Sequence, residues 1–459
     1  MNSSRRNFLR HSTCAALSVA SASAAYFDLM KTAALAAPTQ AGDYKALVCV
    51  FLYGGNDAHN MLVPRTATDY GLYSRTRSTL SVPQAQLRAL NFKDSAQREF
   101  GLHPSMPELQ TLFNTNQKLA LLANVGPLVR PVNRTEYRAK SKPLPPQLFS
   151  HSDQLVHWQT SWPDQLATRT GWGGRVADAV NALNTNNQVS MNLSFAGSNT
   201  FQVGSDVTPY EMSSDGPLRL SGFDVNPQTT NVISQAIRGG MYTPQPRTNL
   251  LEEAWNGTFR RSLDAGAAFR AALDAAPALT TVFPTNNNLA KQLNMVAKVI
   301  AARNILNVRR QIFFVTLDGF DTHGDQLAGH PTLLQRLSQG LNAFYAATVE
   351  LGIQNQVTAF TASDFGRALK PNAGGTDHGW GSHHFILGGA VDGGKIFGTF
   401  PNLTLDNETD AGNGRLIPTT AVDQYAATLA SWFGVSATDL RTVTPNLGNF
   451  AADNLGFML

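Results

Sequence analysis

The sequence predicts an α/β protein with a mainly parallel, doubly wound sheet, and three observations lead there. Near-continuous apolar runs recur at residues 44–53 (YKALVCVFLY), 118–125 (KLALLANV), 311–317 (QIFFVTL) and 357–363 (VTAFTAS), the pattern of strands covered on both faces. Helical spacing fills the stretches between them: in 287–307, Leu289, Leu293, Val296, Val299, Ile300 and Ile305 fall on or near one face. Three of the runs end in glycine and charged groups, Gly54-Gly55-Asn56-Asp57, Asp318-Gly319-Phe320-Asp321-Thr322-His323 and Asp364-Phe365-Gly366. Strands and helices that alternate in this way form a right-handed βαβ series, and its functional groups gather at the carboxyl ends of the strands.

The 459 residues suit one large domain with an insertion. Ser4-Arg5-Arg6-Asn7-Phe8-Leu9-Arg10 is a twin-arginine signature, followed by an Ala/Ser-rich stretch and the small-residue pattern Ala34-Leu35-Ala36. Asp28 and Lys31 interrupt the apolar stretch, which therefore suits a cleaved signal better than an anchor. The expected division is a signal peptide over 1–36 and a single α/β domain over 37–459, handled by the twin-arginine export machinery and periplasmic or secreted. No later run approaches the roughly 18 apolar residues of a stable membrane span. Without residues 1–36 the chain keeps 32 basic against 31 acidic side chains, so the formal +4 falls to +1 and no nucleic-acid partner is implied. Cys14 lies in the signal, leaving Cys49 in the first strand as a small buried hydrophobe, so the core must hold the protein together without an internal disulfide.

Taken in order, residues 44–53 form the first strand and end at a turn that presents Asp57. The second strand is 118–125, and a Pro-, Arg- and Lys-rich loop over 127–146 leads to Ser150-His151-Ser152-Asp153 before a helix over 155–162. Another helix spans 176–183, with strands at 188–195 and 199–203. From about 205 to 285 the composition shifts to Pro, Asn, Thr and Gly around one amphipathic helix, 250–275, and the region reads as an insertion or cap with a loop at 242–246. Helices at 287–307 and 330–351 flank the strand at 311–317. After the strand from Val357 comes a Gly-rich loop, then short strands over 394–400 and a helix over 420–433.

Chemistry concentrates in that Gly-rich loop, where Asp377, His378, His383 and His384 follow Asp364. Together with Asp57, Asp318, Asp321 and His323 they make a set of carboxylates and imidazoles that suits one or two divalent ions, Zn, Mn, Mg or Ca. Asp321 and His323 are two apart and would face the same side of an extended strand end, whereas His383 and His384 would diverge. Ser150 or Ser152, at a helix start, is either an N-cap or a nucleophile, with His151 beside it as a proton carrier or ligand. Arg367 is a candidate contact for an anionic substrate.

In FLYGGNDAHN, LFSHSDQLVHWQT, GWGGR, LDGFDTHGDQ and SDFGRALKPNAGGTDHGWGSHHFILGGAV the chain resembles the domain-of-unknown-function 1501 family of exported proteins. That family looks like a distant branch of the alkaline phosphatase-like superfamily, which implies an alkaline phosphatase-like fold with a two-metal site. By that resemblance Asp57 is the first-strand ligand and Ser150 the nearest match to the nucleophile, with Ser152 an equal alternative. Asp318 or Asp321 with His323 holds one metal, Asp364 is a strand-end ligand, and His378 or His383 is the late histidine. At Phe365 the chain departs from the many superfamily members with histidine there, so a second metal would need His378 or His384 instead. The implied function is metal-dependent hydrolysis of a phosphate or sulfate ester, on a small molecule or a glycan. The alternative is a catalytically degenerate relative that acts as a cell-envelope binding or assembly protein.

Overall fold

The computed structural model describes residues 44–459 apart from 166, 187, 224–227, 229 and 243–248. The expected signal peptide with Cys14, and 243–246 of the expected loop, lie outside the described residues. No helix among the described residues is long and apolar enough to cross a membrane.

Among the described residues, ten strands form the main sheet: β1 (Lys45–Leu52), β2 (Leu119–Gly126), β3 (Asn192–Ser194), β4 (Tyr210–Ser213), β5 (Gly216–Pro217), β6 (Arg310–Leu317), β7 (Val357–Ser363), β8 (Ser382–Gly388), β9 (Ile396–Gly398) and β10 (Thr420–Ala421). Across the sheet the order is β9-β2-β8-β7-β1-β6-β3-β4-β5, with β10 also pairing β2. β1 lies between β7 and β6 and runs parallel to both, so the carboxyl ends of all three meet at one edge. β8 runs antiparallel to both β7 and β2, so the sheet is mainly, not wholly, parallel.

The helices used below are α1 (Ala67–Arg77), α2 (His151–Thr160), α3 (Trp172–Val180), α4 (Leu250–Ala275), α5 (Asn288–Ala301), α6 (Gln326–Glu350) and α7 (Val422–Phe433). Alternate residues of β1 serve opposite faces of the sheet. Ala46, Val48, Val50 and Leu52 join a core with Leu289, Val296, Leu337 and Leu341 of α5 and α6. Leu47, Cys49 and Phe51 join another with Trp158, Trp172, Val176, Tyr425 and Phe433 of α2, α3 and α7. Burying such side chains contributes about 1.5–3 kcal/mol each, which accounts for the unbroken apolar runs. Cys49 is buried, as its position in the first strand predicts.

Several expectations need correction. Residues 199–203 form a turn, because the Gln159 side chain accepts from the Thr200 and Phe201 amides at 2.8 and 3.2 Å and takes the donors a ladder would use. The helix expected at 155–162 starts at His151, and the one expected at 176–183 starts at Trp172. The helix expected to start at His330 starts at Gln326 and carries Pro331 inside it. The Gly-rich loop is instead a hairpin, Arg367–Pro371 with Thr376–His378, followed by β8. His383 and His384 therefore sit inside a central strand rather than in a loop.

Candidate metal centre

At the carboxyl edge of β1, two glycines shape the floor. Gly54 has φ +110° and a Cβ there would stand 2.3 Å from the Asp321 amide nitrogen, while Gly55 has φ +78° and would meet the Phe365 ring at 2.3 Å. Only glycine permits both the conformation and this approach of three strand ends. The Gly54 amide donates to Asp364 Oδ1 at 3.2 Å, which ties the end of β1 to the end of β7.

Three imidazoles surround one carboxylate oxygen. Asp321 Oδ1 lies 3.1 Å from His323 Nε2, 3.4 Å from His378 Nε2 and 3.5 Å from His151 Nε2. His151 and His378 each have Nδ1 committed elsewhere: His151 Nδ1 to Asp364 Oδ2 at 2.7 Å and His378 Nδ1 to the Phe149 carbonyl at 2.6 Å. A carbonyl or carboxylate only accepts, so both Nδ1 atoms carry a proton, and Nε2 is the atom that a neutral ring turns toward Asp321 as an acceptor. His323 Nδ1 faces Asp377 Oδ1 at 3.7 Å, and Asn372 Nδ2 donates to that same oxygen at 3.1 Å. An imidazole backed through its outer nitrogen by a carboxylate or carbonyl is the usual arrangement behind a metal ligand.

His151 Nε2 is buried without a hydrogen-bond partner, and a ligand atom from each of His151, Asp321 and His378 lies within 4.8 Å of the others. His323 Nε2 stands 2.8 Å from His378 Nε2, so the four groups converge on one point. Phe365, fully buried, packs its ring 4.7 Å from both the His151 and His378 rings and holds the pair edge to face. The donors present fit a divalent ion.

The hydrogen bond that His151 donates to Asp364 raises the His151 pKa above its ordinary value, while burial lowers that of His378. Burial alone would raise Asp321, but the Arg367 hydrogen bond and charge and the neighbouring histidines hold it below the usual carboxylate range. Asp318 is exposed at the end of β6, and its carboxyl is pushed up by partial burial and then by Asp364.

The other candidates are not among the groups that converge on Asp321 Oδ1 as ligands. Asp57 is fully buried, ion-paired with Arg77 of α1 and hydrogen-bonded by Gln326 Nε2 and the His59 amide. Burial pushes its pKa up, and Arg77, His330, His59 and Gln326 more than reverse this. His383 Nδ1 accepts from the Asn124 amide at 3.0 Å and its ring stacks on Phe400, whereas His384 points to the opposite face against Trp158 and Tyr425. Burial keeps both neutral, pushing His384 down to about 3. Arg367 is fully buried and spent on Thr376, the Gly54 carbonyl and Asp321. Ser150 occupies the N-cap position of α2 without capping it; its hydroxyl donates to Asp153 Oδ2 at 2.5 Å and lies 3.1 Å from Ser152 Oγ.

Sequence reasoning gave no role to Arg77, Gln326, Thr376 or the Phe149 carbonyl. Arg77 ends an ordinary polar helix, and a backbone carbonyl has no sequence signature.

The family model described as "Protein of unknown function (DUF1501)" matches residues 44–430. The chain belongs to that family. No curated protein matches it. Among solved structures, the DUF1501 chain is similar to the soluble domain of lipooligosaccharide phosphoethanolamine transferase A from Neisseria meningitidis, with 10% identity over 87% of this chain and 92% of that one at a TM-score of 0.35. It is also similar to a sulfatase from Pseudoalteromonas sp. (9% identity, 82% and 69% covered, TM-score 0.30) and to a phosphonate monoester hydrolase from Silicibacter pomeroyi (8%, 86% and 74%, TM-score 0.33). At such TM-scores these likenesses carry no weight for the reaction.

Proposed function

We propose that this DUF1501 protein is an exported hydrolase of phosphate or sulfate esters with a single divalent ion held by His151, Asp321 and His378, and by His323 on the open side. The observation that carries this reading is the convergence of three imidazole Nε2 atoms on Asp321 Oδ1, two of them fixed by a protonated Nδ1. Three nitrogens and one carboxylate favour Zn or a similar transition-metal ion over Mg or Ca, which prefer oxygen. One ion is favoured over two because Asp57, which the resemblance offers as a first-strand ligand, is committed to Arg77 and Gln326.

Such an ion supplies Lewis acidity toward an ester oxygen. The protein supplies the rest. Ser150 lies between Phe149, whose carbonyl orients His378, and His151. Its hydroxyl already donates to Asp153, which would take the proton as Oγ attacks phosphorus or sulfur and return it to the alcohol as the P–O or S–O ester bond breaks; water, deprotonated by Asp153, would then hydrolyse the seryl ester and restore Ser150. Asp364 fixes the His151 ring, and Arg367 acts on Asp321 rather than on substrate.

Purified mature protein, stripped and reloaded with Zn, Mn or Ca, is assayed with aryl phosphates and aryl sulfates, including glycan-linked esters. Turnover that needs the metal and is lost in Ser150→Ala supports the reading. No bound metal and no turnover with any ion would remove it. A second reading, a binding or assembly protein of the cell envelope, is favoured by the burial of Arg367 and its commitment to Thr376, the Gly54 carbonyl and Asp321, which turn that guanidinium away from an incoming anion. Metal-dependent capture of envelope glycan without turnover would select it.

A further inference from the structure

Beneath the proposed centre, a chain of hydrogen bonds runs from the buried Asp57 to the exposed Asp321. Asp57 Oδ2 accepts from Arg77 and from Gln326 Nε2. Gln326 Oε1 accepts from Thr376 Oγ1 at 2.8 Å and from Thr322 Oγ1 at 3.2 Å. Thr376 Oγ1 in turn accepts from Arg367 Nε at 2.9 Å, and Arg367 Nη1 donates to Asp321 Oδ1 at 2.9 Å and to the Gly54 carbonyl at 3.0 Å. Gln326, Thr376 and Arg367 are all buried.

The polarity of this chain is forced from one end. Asp57 is an ionised carboxylate beside Arg77 and can only accept, so the Gln326 side chain must turn its NH₂ toward it. That turn presents Oε1 to Thr376, whose single hydroxyl proton must go there and whose lone pairs then face Arg367. With the opposite amide orientation, Thr376 would face two donors and Asp57 an amide oxygen. The guanidinium is planar and rigid, so fixing it at Thr376 and the Gly54 carbonyl sets where its Nη1 holds Asp321.

We infer that Gln326 is a positioning residue: through Thr376 and Arg367 it fixes Asp321 among His151, His323 and His378. The inference rests on the metal-centre reading for its consequence, since a ligand held from behind binds more tightly; removal of such a support typically weakens metal binding 10–100-fold.

The test titrates metal-free full-length mature protein with Co²⁺, and separately records the ring ¹⁵N shifts of His151, His323 and His378 without metal. Gln326→Met and Thr376→Val, which act behind Arg367, are each expected to weaken Co²⁺ binding by up to about 10-fold, the low end of the range for direct supports, and to move the ring shifts. The double variant should be no weaker than the worse single one, because both break the same link. Thr376→Ser keeps the hydroxyl and should restore wild-type affinity. Asn184→Ala, which removes the acceptor for the Arg309 and Arg310 amides at the start of β6, at the other end of the strand, should leave affinity unchanged.

Wild-type affinity and unmoved shifts in Gln326→Met would overturn the inference, as would equal loss in Asn184→Ala. Should Gln326→Met fail to fold, the Thr376→Val and Thr376→Ser pair decides by the same measures. If the wild type binds no Co²⁺, the metal reading falls while the ring shifts still judge the positioning role: movement upholds it, and no movement sinks it.

Discussion

Asp57 and Asp321 follow neighbouring parallel strands, β1 and β6, and both answer an arginine, yet they end in opposite environments. Asp57 is fully buried, and Arg77 and Gln326 occupy the same oxygen of its carboxylate. Asp321 is about half exposed, and the oxygen that meets Arg367 also faces three imidazoles. The histidines divide in the same way: His151, His323 and His378 stand at the rim, while His383 and His384 are sealed inside β8. Residue type at a strand end thus nominates a ligand, but burial and prior partners decide whether it is available.

That contrast can be broken by mutation, and the largest effect should come from the rim. Asp321→Ala and His378→Ala are each expected to reduce Co²⁺ affinity by more than about 100-fold, beyond the 10–100-fold range for supporting residues, with little change in thermal stability of the metal-free protein. Titration with Co²⁺ beside a melting curve checks both. A rim variant that binds metal normally would erase the difference between the two regions.

Asp57→Ala should do the reverse. It leaves the buried Arg77 without its counter-charge, which typically costs about 3–5 kcal/mol, measured by urea unfolding. Metal affinity should fall only by the indirect loss expected for Gln326. A stable Asp57→Ala protein with no metal binding would make Asp57 a ligand after all.

A smaller effect separates the two layers by pH. Burial lowers the pKa of His59 and His330 to about 4 and of His384 to about 3. A base whose folded pKa lies below its unfolded value of about 6.5 contributes stability that is present above pH 6.5 and lost as pH falls toward the folded value. The protein should therefore lose several kcal/mol between about pH 6.5 and 4, and His384→Gln should flatten part of that slope. His151 is shifted upward and so contributes stability below its unfolded pKa that fades as pH rises. Unfolding midpoints measured across pH 4–8 test the signs. The smallest expectation concerns Cys49, buried between strands: thiol reagents should label it only after unfolding.

Much of the fold was legible because two-faced burial leaves a plain mark, an unbroken apolar run, and β1, β2, β6 and β7 all carry it. β8 escaped because Ser382-His383-His384 looks polar, although Asn124, Phe400, Trp158 and Tyr425 enclose both imidazoles. The start of α6 escaped because a proline reads most simply as a first-turn residue, whereas Pro331 is the sixth residue of the helix and forfeits a bond to the Leu327 carbonyl without ending it. At the candidate centre, the residues that come together, His151, Asp321, His323 and His378, are visible in the sequence as Asp and His beyond strand or loop ends. Their backing was not, since Phe149 acts through its carbonyl and Gln326 and Thr376 act only through other side chains.

The measurement that bears most directly on the account is an anomalous-scattering map of crystals grown with Zn or Co. It should show one peak bounded by His151, Asp321 and His378, with His323 alongside and none at Asp57. A peak at Asp57, or no peak at saturating metal, would contradict it.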